Sequence, residues 1–247
     1  MSNIIKTEAV VLNKINYGDS SNIVTLFTKD FGKISAIIKG GRNPKSKIGL
    51  VADPLNHLQI VMYKKDSREI QIISSIDLIT YFAKIREDFE KLKYAFAVIE
   101  LVKKLTVENE KNLKLFKGLI RILTLFNVSQ EKEIIIFGRF FIFLLSERGY
   151  EMQLNKCSIC GTTDLSRSLL SYNFERGILC GNCRKNHIES FPLSAELFEY
   201  MFCLKNNQSI ENKINYETME RAILFLEKYL NYHVPDFKGI QSFQIFK

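Results

Sequence analysis

Hydrophobic periodicity divides the chain near residue 78. Before that point Leu58, Ile60 and Met62 alternate with Gln59, Val61 and Tyr63, the period of a half-buried strand. Thr7–Leu12 is rich in Val and Ala. Asn22–Thr28 and Lys33–Lys39 flank Lys29-Asp30-Phe31-Gly32, a hairpin connection with glycine at the turn. Lys64–Arg68 reads as a polar turn and Glu69–Ser74 as the returning strand. Five short strands with no comparable helix between them predict a small closed or nearly closed barrel. An OB-fold is preferred to the competing SH3-like topology.

Past residue 78 the period lengthens. Ile85, Phe89, Leu92, Phe96 and Ile99 recur every three or four residues, with Lys84, Arg86, Glu87, Glu90, Lys91 and Lys93 off that stripe, as in an amphipathic helix. Further helices are expected over about 110–127 and 131–148, the latter apolar nearly all round and therefore central in its bundle. Ser194 is a suitable N-cap for a helix to about Leu204, and Asn215 for one through Tyr232. Residues 150–191 read as irregular. The predicted class is α+β, with an OB-fold β-barrel over 1–80 and an α-helical domain over 81–247. A four-cysteine module interrupts that helical domain at about 150–191.

Composition narrows the setting. The 247 residues are 46% hydrophobic and carry a formal net charge of +8, so polyanions are the default partners. The most apolar stretch, Ile134–Leu145, is shorter than the ~20 residues that span a bilayer, so no membrane partner is expected. The N-terminus shows no basic run followed by an apolar core and cleavage site. Five cysteines in a chain without an export signal imply a reducing, cytoplasmic compartment, where paired cysteines are more often metal ligands than disulfides.

Cys157-Ser-Ile-Cys160-Gly161 and Cys180-Gly-Asn-Cys183 place two C-x2-C pairs nineteen residues apart. Two intervening residues let both thiolates of a tight turn reach one ion, and Gly161 and Gly181 relax the backbone there. Two such turns complete a tetrahedral shell for one structural Zn2+, with no position left for catalytic water. Neither pair lies between a strand and a helix, which argues against thioredoxin-like redox pairs. His187 is read as a surface residue and Cys203 as a core thiol.

The second constellation is electrostatic. Lys39-Gly-Gly-Arg42-Asn-Pro-Lys45-Ser-Lys47 holds four cations and no acid on a Gly/Pro loop. With Lys29, Lys33, Lys64, Lys65 and Arg68, nine cations between residues 29 and 68 face only Asp30, Asp53 and Asp66. Loops so charged can track a phosphate backbone. The candidate stacking aromatics in the barrel are few (Tyr17, Phe27, Phe31 and Tyr63), which favours backbone contacts over base reading. Phosphate-loop, G-x-S-x-G and H-E-x-x-H motifs are absent, and the histidines at 57, 187 and 233 are scattered, so nothing argues for an enzyme.

These residues together resemble the bacterial RecO family of recombination mediators over nearly the whole chain. The resemblance rests on Glu8-Ala-Val-Val-Leu12, Gly18-Asp-Ser-Ser-Asn-Ile-Val-Thr-Leu-Phe-Thr28, Gly32-Lys33 and Lys39-Gly-Gly-Arg-Asn-Pro-Lys-Ser46. It continues through Arg139-Phe, Gly149-Tyr150 and the four cysteines. It implies an OB barrel, a helical C-terminal domain and, in many members, zinc. It also implies binding of single- and double-stranded DNA, strand annealing, and help in loading a recombinase onto strands coated by single-strand-binding protein. The implied partners are RecR and the acidic C-terminal tail of the single-strand-binding protein. Basic barrel residues of the family contact DNA, and Lys39, Arg42, Lys45 and Lys47 match that loop. Asn43 stands where the family often has a second arginine. Arg139 corresponds to an arginine that receives the acidic tail beside an apolar pocket; the alternative is an arginine that snorkels or pairs with an acid such as Glu100.

Three functions fit these residues: a DNA-repair mediator associated with the nucleoid, a protein adaptor with an incidental basic loop, and an RNA-binding zinc protein. The first accounts for the largest share of the pattern.

Overall fold

The computed structural model describes residues 3–165, 169–186, 190–210 and 214–246. The chain forms two compact units, Met1–Glu133 with Ile240–Lys247, and Ile134–Gly239.

In the first unit, β1 (Asn3–Tyr17), β2 (Ser21–Thr28), β3 (Gly32–Ile38), β4 (His57–Lys64) and β5 (Ile70–Thr80) close a barrel in the order β1-β2-β3-β5-β4. Closure depends on β1. Its residues Asn3–Val10 pair antiparallel with β4, while Ala9–Tyr17 pair antiparallel with β2. A bulge between Val11 and Asn13 adds the bend that lets one strand serve both neighbours. The parallel pairing of β3 with β5 completes the circle. The hydrophobic pattern marks only Thr7–Leu12 of β1 because both ends of the strand face solvent. Inside lie Ala9, Val11, Val24, Leu26, Ile34, Ala36, Ile38, Leu58, Ile60, Met62 and Ile73, every second residue of each strand.

Between β3 and β4 sits α1 (Lys47–Val51), too short for its period to show in the sequence. Ser46 caps it, its hydroxyl accepting from the Gly49 N–H. After the barrel, the stripe that reads as one helix is two: α2 (Ala83–Glu87) and α3 (Phe89–Leu105). The break falls at Asp88, whose extended backbone and carboxylate cap α3 by accepting from the Lys91 N–H. Phe89 is consequently exposed, its ring against Phe246 at 5.6 Å.

The next helix, α4 (Leu113–Val128), covers part of the barrel wall. Its Phe116 stacks on the outward-pointing Phe27 at 6.4 Å and meets the edge of His57 at 6.1 Å. The backbone entering α4 passes so close to Gly32 that a Cβ there would lie 1.9 Å from the Glu110 carbonyl oxygen. Gly32 also has φ +66°, so both sterics and backbone require glycine. The C-terminal turn Ser242–Ile245 returns to α3, where the Gln241 and Ser242 N–H groups each donate to the Glu100 carboxylate at 2.8 Å.

The second unit contains α5 (Glu133–Glu147) from Ile134 onward, α6 (Ala195–Lys205) and α7 (Tyr216–His233). The expected caps are present: Ser194 accepts from the Leu197 N–H and Asn215 from the Thr218 N–H. Gly138 leaves α5 smooth where α6 approaches; a Cβ there would lie 3.0 Å from a Leu204 methyl. The segment that reads as irregular contains a three-stranded sheet, β6 (Leu170–Asn173), β7 (Gly177–Leu179) and β8 (Phe191–Leu193), in the order β7-β6-β8. Strands of three or four residues are too short for alternation to register. Cys203 is half-buried rather than in the core, with Sγ 3.7 Å from Gln208 Oε1.

Replacing Gly32 with Ala should lower unfolding free energy by roughly 3 kcal/mol, from left-handed strain and displacement of the α4 entry. Denaturant midpoints measure this, and a decrease below about 0.5 kcal/mol would contradict the close approach.

Candidate functional site

The four cysteines are gathered by the β6–β7 hairpin. Asn173 closes that hairpin by accepting from the Glu175 and Arg176 N–H groups, and Gly177 takes φ +101°. Next, β7 delivers Cys180 to the first pair. The Ser158 N–H donates to Ile178 O at 2.9 Å, and the Cys180 N–H points at Cys157 Sγ at 3.4 Å. In the first knuckle the Gly161 N–H donates to Cys157 O at 2.9 Å with Gly161 at φ +75°. A single 3-10 turn, Cys183–Asn186, carries the fourth thiol.

All four sulfurs lie within 4.8 Å of one another, and Cys160 and Cys180 Sγ are 3.7 Å apart. A tetrahedral thiolate shell with ~2.3 Å metal–sulfur bonds has edges of ~3.8 Å, so the donor set suits one metal ion. Charge gives the same answer. Burial opposes ionisation of Cys157, yet the N–H groups of Cys160, Cys180 and Ile159 outweigh it and bring the thiol to about 6. Partial burial and then the sulfurs of Cys180, Cys160 and Cys157 push Cys183 up to about 12. With Cys183 so raised, all four sulfurs can ionise together only when a cation lies among them.

The module's sheet is braced within its own unit. Tyr172 of β6 meets Phe225 and Tyr229 of α7 edge-on at 5.4 and 5.8 Å, and Phe191 of β8 meets Phe225 at 5.1 Å. Lys205 of α6 donates to Met152 O and pairs with Glu151 at 3.2 Å. His187 lies outside the described residues.

Of the nine cations of the basic span, Lys29 pairs with Glu8 at 2.6 Å, and the other eight fall into three groups. Lys39, Arg42 and Lys45 on the β3–α1 loop and Lys47 at the start of α1 are all exposed. The loop is ordered by its backbone: the Arg42 N–H donates to Ser20 O at 2.9 Å, the Asn43 N–H to Gly40 O and the Ser46 N–H to Asn43 O. Gly41 and Gly49 touch, a Cβ on Gly49 falling 1.8 Å from Gly41 O, so no larger residue fits there. Arg42 Nη1 also donates to Gly18 O at 2.7 Å, docking the loop on the β1–β2 turn.

Lys64, Lys65 and Arg68 form the second group, on the β4–β5 turn. Gln71 fixes that turn by accepting from the Lys65 N–H and donating to the Lys65 and Arg68 carbonyls. Lys64 pairs with Asp66, whereas Lys65 is exposed and without an ion-pair partner among the described residues.

Lys33 is the third, and it is separate. Its ammonium donates to Lys103 O at 2.9 Å and Thr106 O at 2.6 Å, at the C-terminal carbonyls of α3. Asp53 is held by Lys14 at 2.8 Å, and Asp30 by the Thr7 hydroxyl at 2.6 Å and Lys111 at 3.5 Å. Each acid of the basic span is therefore engaged, and the surplus positive charge resides on two turns. That pairing was beyond sequence reasoning, since Lys14, Thr7 and Lys111 lie outside the span.

Arg139 is half-exposed on α5 and donates from Nη2 to Gln208 O at 3.0 Å. Glu100, the acid considered as its partner, is committed to Lys104 at 2.7 Å and to the C-terminal turn. Elsewhere in the same unit as Arg139, Phe198 and Phe202 of α6, with Leu154 and Leu165, line an open cleft of about 330 Å3. No helix among the described residues is long and apolar enough to cross a membrane.

Purified protein should contain about one equivalent of bound metal, and single Cys→Ser changes or strong chelation should unfold the module, since metal binding and folding are coupled. Metal analysis and far-UV circular dichroism measure this. A metal-free chain with the same melting curve would contradict it.

The chain matches the family described as Recombination protein O N terminal over residues 1–82, and that described as Recombination protein O C terminal over residues 86–239. It is similar to the DNA repair protein RecO of Chloroherpeton thalassium, 32% identical over 254 residues and 98% of each chain. The DNA repair protein RecO of Alkaliphilus metalliredigens is 30% identical over 249 residues and 99% of each chain. That of Acetivibrio thermocellus is 29% identical over 224 residues, 90% of this chain and 86% of the relative. With a closed five-stranded barrel, a helical second part and a four-cysteine cluster already in view, these matches settle the family: the chain is a member of the RecO family of DNA repair proteins.

Proposed function

We propose that the chain is a non-catalytic mediator of recombinational repair in the bacterial cytoplasm. It binds single- and double-stranded DNA, anneals complementary strands, and assists recombinase loading onto strands coated by single-strand-binding protein. The observation that carries this reading is the pair of cationic turns on the closed barrel, with each acid of the span already engaged. Residues 1–80 are then the DNA-binding domain. Lys39, Arg42, Lys45 and Lys47 are its main phosphate contacts, with Lys64, Lys65 and Arg68 as a second set. Lys33, grouped with them by sequence, contributes less because α3 carbonyls hold its ammonium. Annealing needs no nucleotide: neutralising phosphates on two strands lowers their mutual repulsion.

On this reading the four cysteines hold one Zn2+, whose role is to brace residues 150–191, a four-thiolate shell offering no open position for chemistry. Partners are RecR and the acidic C-terminal tail of the single-strand-binding protein. The tail reading rests on Arg139 and on the family's properties.

Reversal of Lys39, Arg42, Lys45 and Lys47 to Glu should weaken DNA binding. On single strands the slope of log affinity against log salt should become shallower by roughly 0.7 for each phosphate no longer neutralised. Wild-type affinity and slope in that variant would remove the loop from the interface. Arg139→Ala should cost about tenfold or more in affinity for an acidic tail peptide while DNA binding survives. Unaltered peptide binding would leave the arginine a structural role.

A further inference from the structure

Helix α4 carries a row of cations that the basic turns of the barrel do not account for. Lys114, Lys117 and Arg121 are spaced i, i+3 and i+7, which puts them on one face of the helix, and all three are exposed. At ~1.5 Å of rise per residue the row is about 10 Å long. The 16 residues of α4 include no acid, and Lys117 and Arg121 have no ion-pair partner among the described residues. The neighbouring α3 shows the ordinary arrangement: Lys93 pairs with Glu90 and Lys104 with Glu100, each at 2.7 Å and each within the helix.

This placement of charge works against the helix itself. The helix dipole favours acids in the first turn and cations in the last. In α4 the first turn has no acid, the last turn has no cation, and all three cations fall in the N-terminal part, up to Arg121. Gly118, between Lys117 and Arg121 on the same face, is a further local cost in a helix interior. Local rules that fail together at one exposed face are the mark of a surface kept for function.

The row also joins a cationic surface at one end of the barrel. Just before α4, Lys111 reaches Asp30 at 3.5 Å, and the Lys64 ammonium lies 5.2 Å over the ring of the next residue, Phe31. The β4–β5 turn and the entry to α4 thus meet at the same β2–β3 turn. The basic loop is at the opposite end of β2, since it leaves β3 at Ile38, which lies opposite Asn22. The length of β2 puts about 20 Å between the two ends.

Annealing brings two polyanions onto one protein, and a first strand neutralises the cations that it covers. A second strand needs cations of its own, beyond reach of the first. A protein partner would need an apolar anchor, and between the cations of this face stands only Gly118. We infer that the α4 row Lys114–Lys117–Arg121, entered from the β4–β5 turn, is a second phosphate-backbone site that seats the complementary strand while the basic loop holds the first. This rests on the proposed annealing function and assigns the place of the second strand.

The test is the full-length variant Lys114→Gln, Lys117→Gln and Arg121→Gln. Its control removes three exposed cations elsewhere, through Lys84→Gln, Lys103→Gln and Lys238→Gln. Glutamine keeps the helix propensity, so the melting temperature should be unchanged or slightly raised. Affinity for one labelled oligonucleotide should fall no further than in the control. Uptake of a second, non-complementary oligonucleotide by that complex should fall about tenfold, as should the annealing rate without nucleotide, while the control retains both. Second-strand uptake and annealing at control levels would overturn the site. Loss of first-strand affinity in parallel with annealing would also overturn it, making the row part of a single track. So would an unmodified protein that binds one strand but never two. Failure of the DNA reading itself is distinguishable, because the unmodified protein would then bind no oligonucleotide.

Discussion

Closure of the barrel by one long strand is the constraint on which the rest of the first unit depends. Since β1 pairs with β2 over one half and β4 over the other, the wall has no free edge at that seam. The Val11–Asn13 bulge provides the bend, and the same curvature brings the β1–β2 turn under the basic loop, where Gly18 O and Ser20 O receive Arg42. A loop with four cations would repel itself in water. Here it is held by backbone bonds and by the Gly41–Gly49 contact, which need no counter-charge. The cations therefore remain exposed and close together, as a polyanion-binding surface requires.

The second unit solves a different problem. Its cysteine-bearing segment has a sheet of three strands, each of three or four residues, too little to be stable alone. Two supports compensate: the aromatic contacts of Tyr172 and Phe191 with α7, and the convergence of four sulfurs on one point. Burial and then the neighbouring sulfurs raise Cys183 while N–H groups lower Cys157, so the cluster by itself is electrostatically divided and a cation would unify it.

Much of this was legible in the sequence because it was written in strong local signals. The two C-x2-C pairs, the Ser194 and Asn215 caps and the period change near residue 78 are local and chemically specific. Other features were not legible because their causes are distant. The ends of β1 were not legible because their apolar residues Ile4, Ile15 and Tyr17 face solvent and not the core. The split of α2 from α3 depends on a single capping residue, Asp88, inside an otherwise unbroken stripe. Commitment of Lys33 to the α3 carbonyls joins residues seventy apart. Strand alternation shows which residues face away from the core but not which of them become neighbours.

The central claim is that charge displayed on this barrel brings DNA strands together without chemistry. It is tested most directly by following the annealing of complementary DNA strands without nucleotide, first bare and then coated with the cognate single-strand-binding protein. The account predicts acceleration in both settings. No acceleration in either would contradict it and leave the chain an adaptor between other repair proteins.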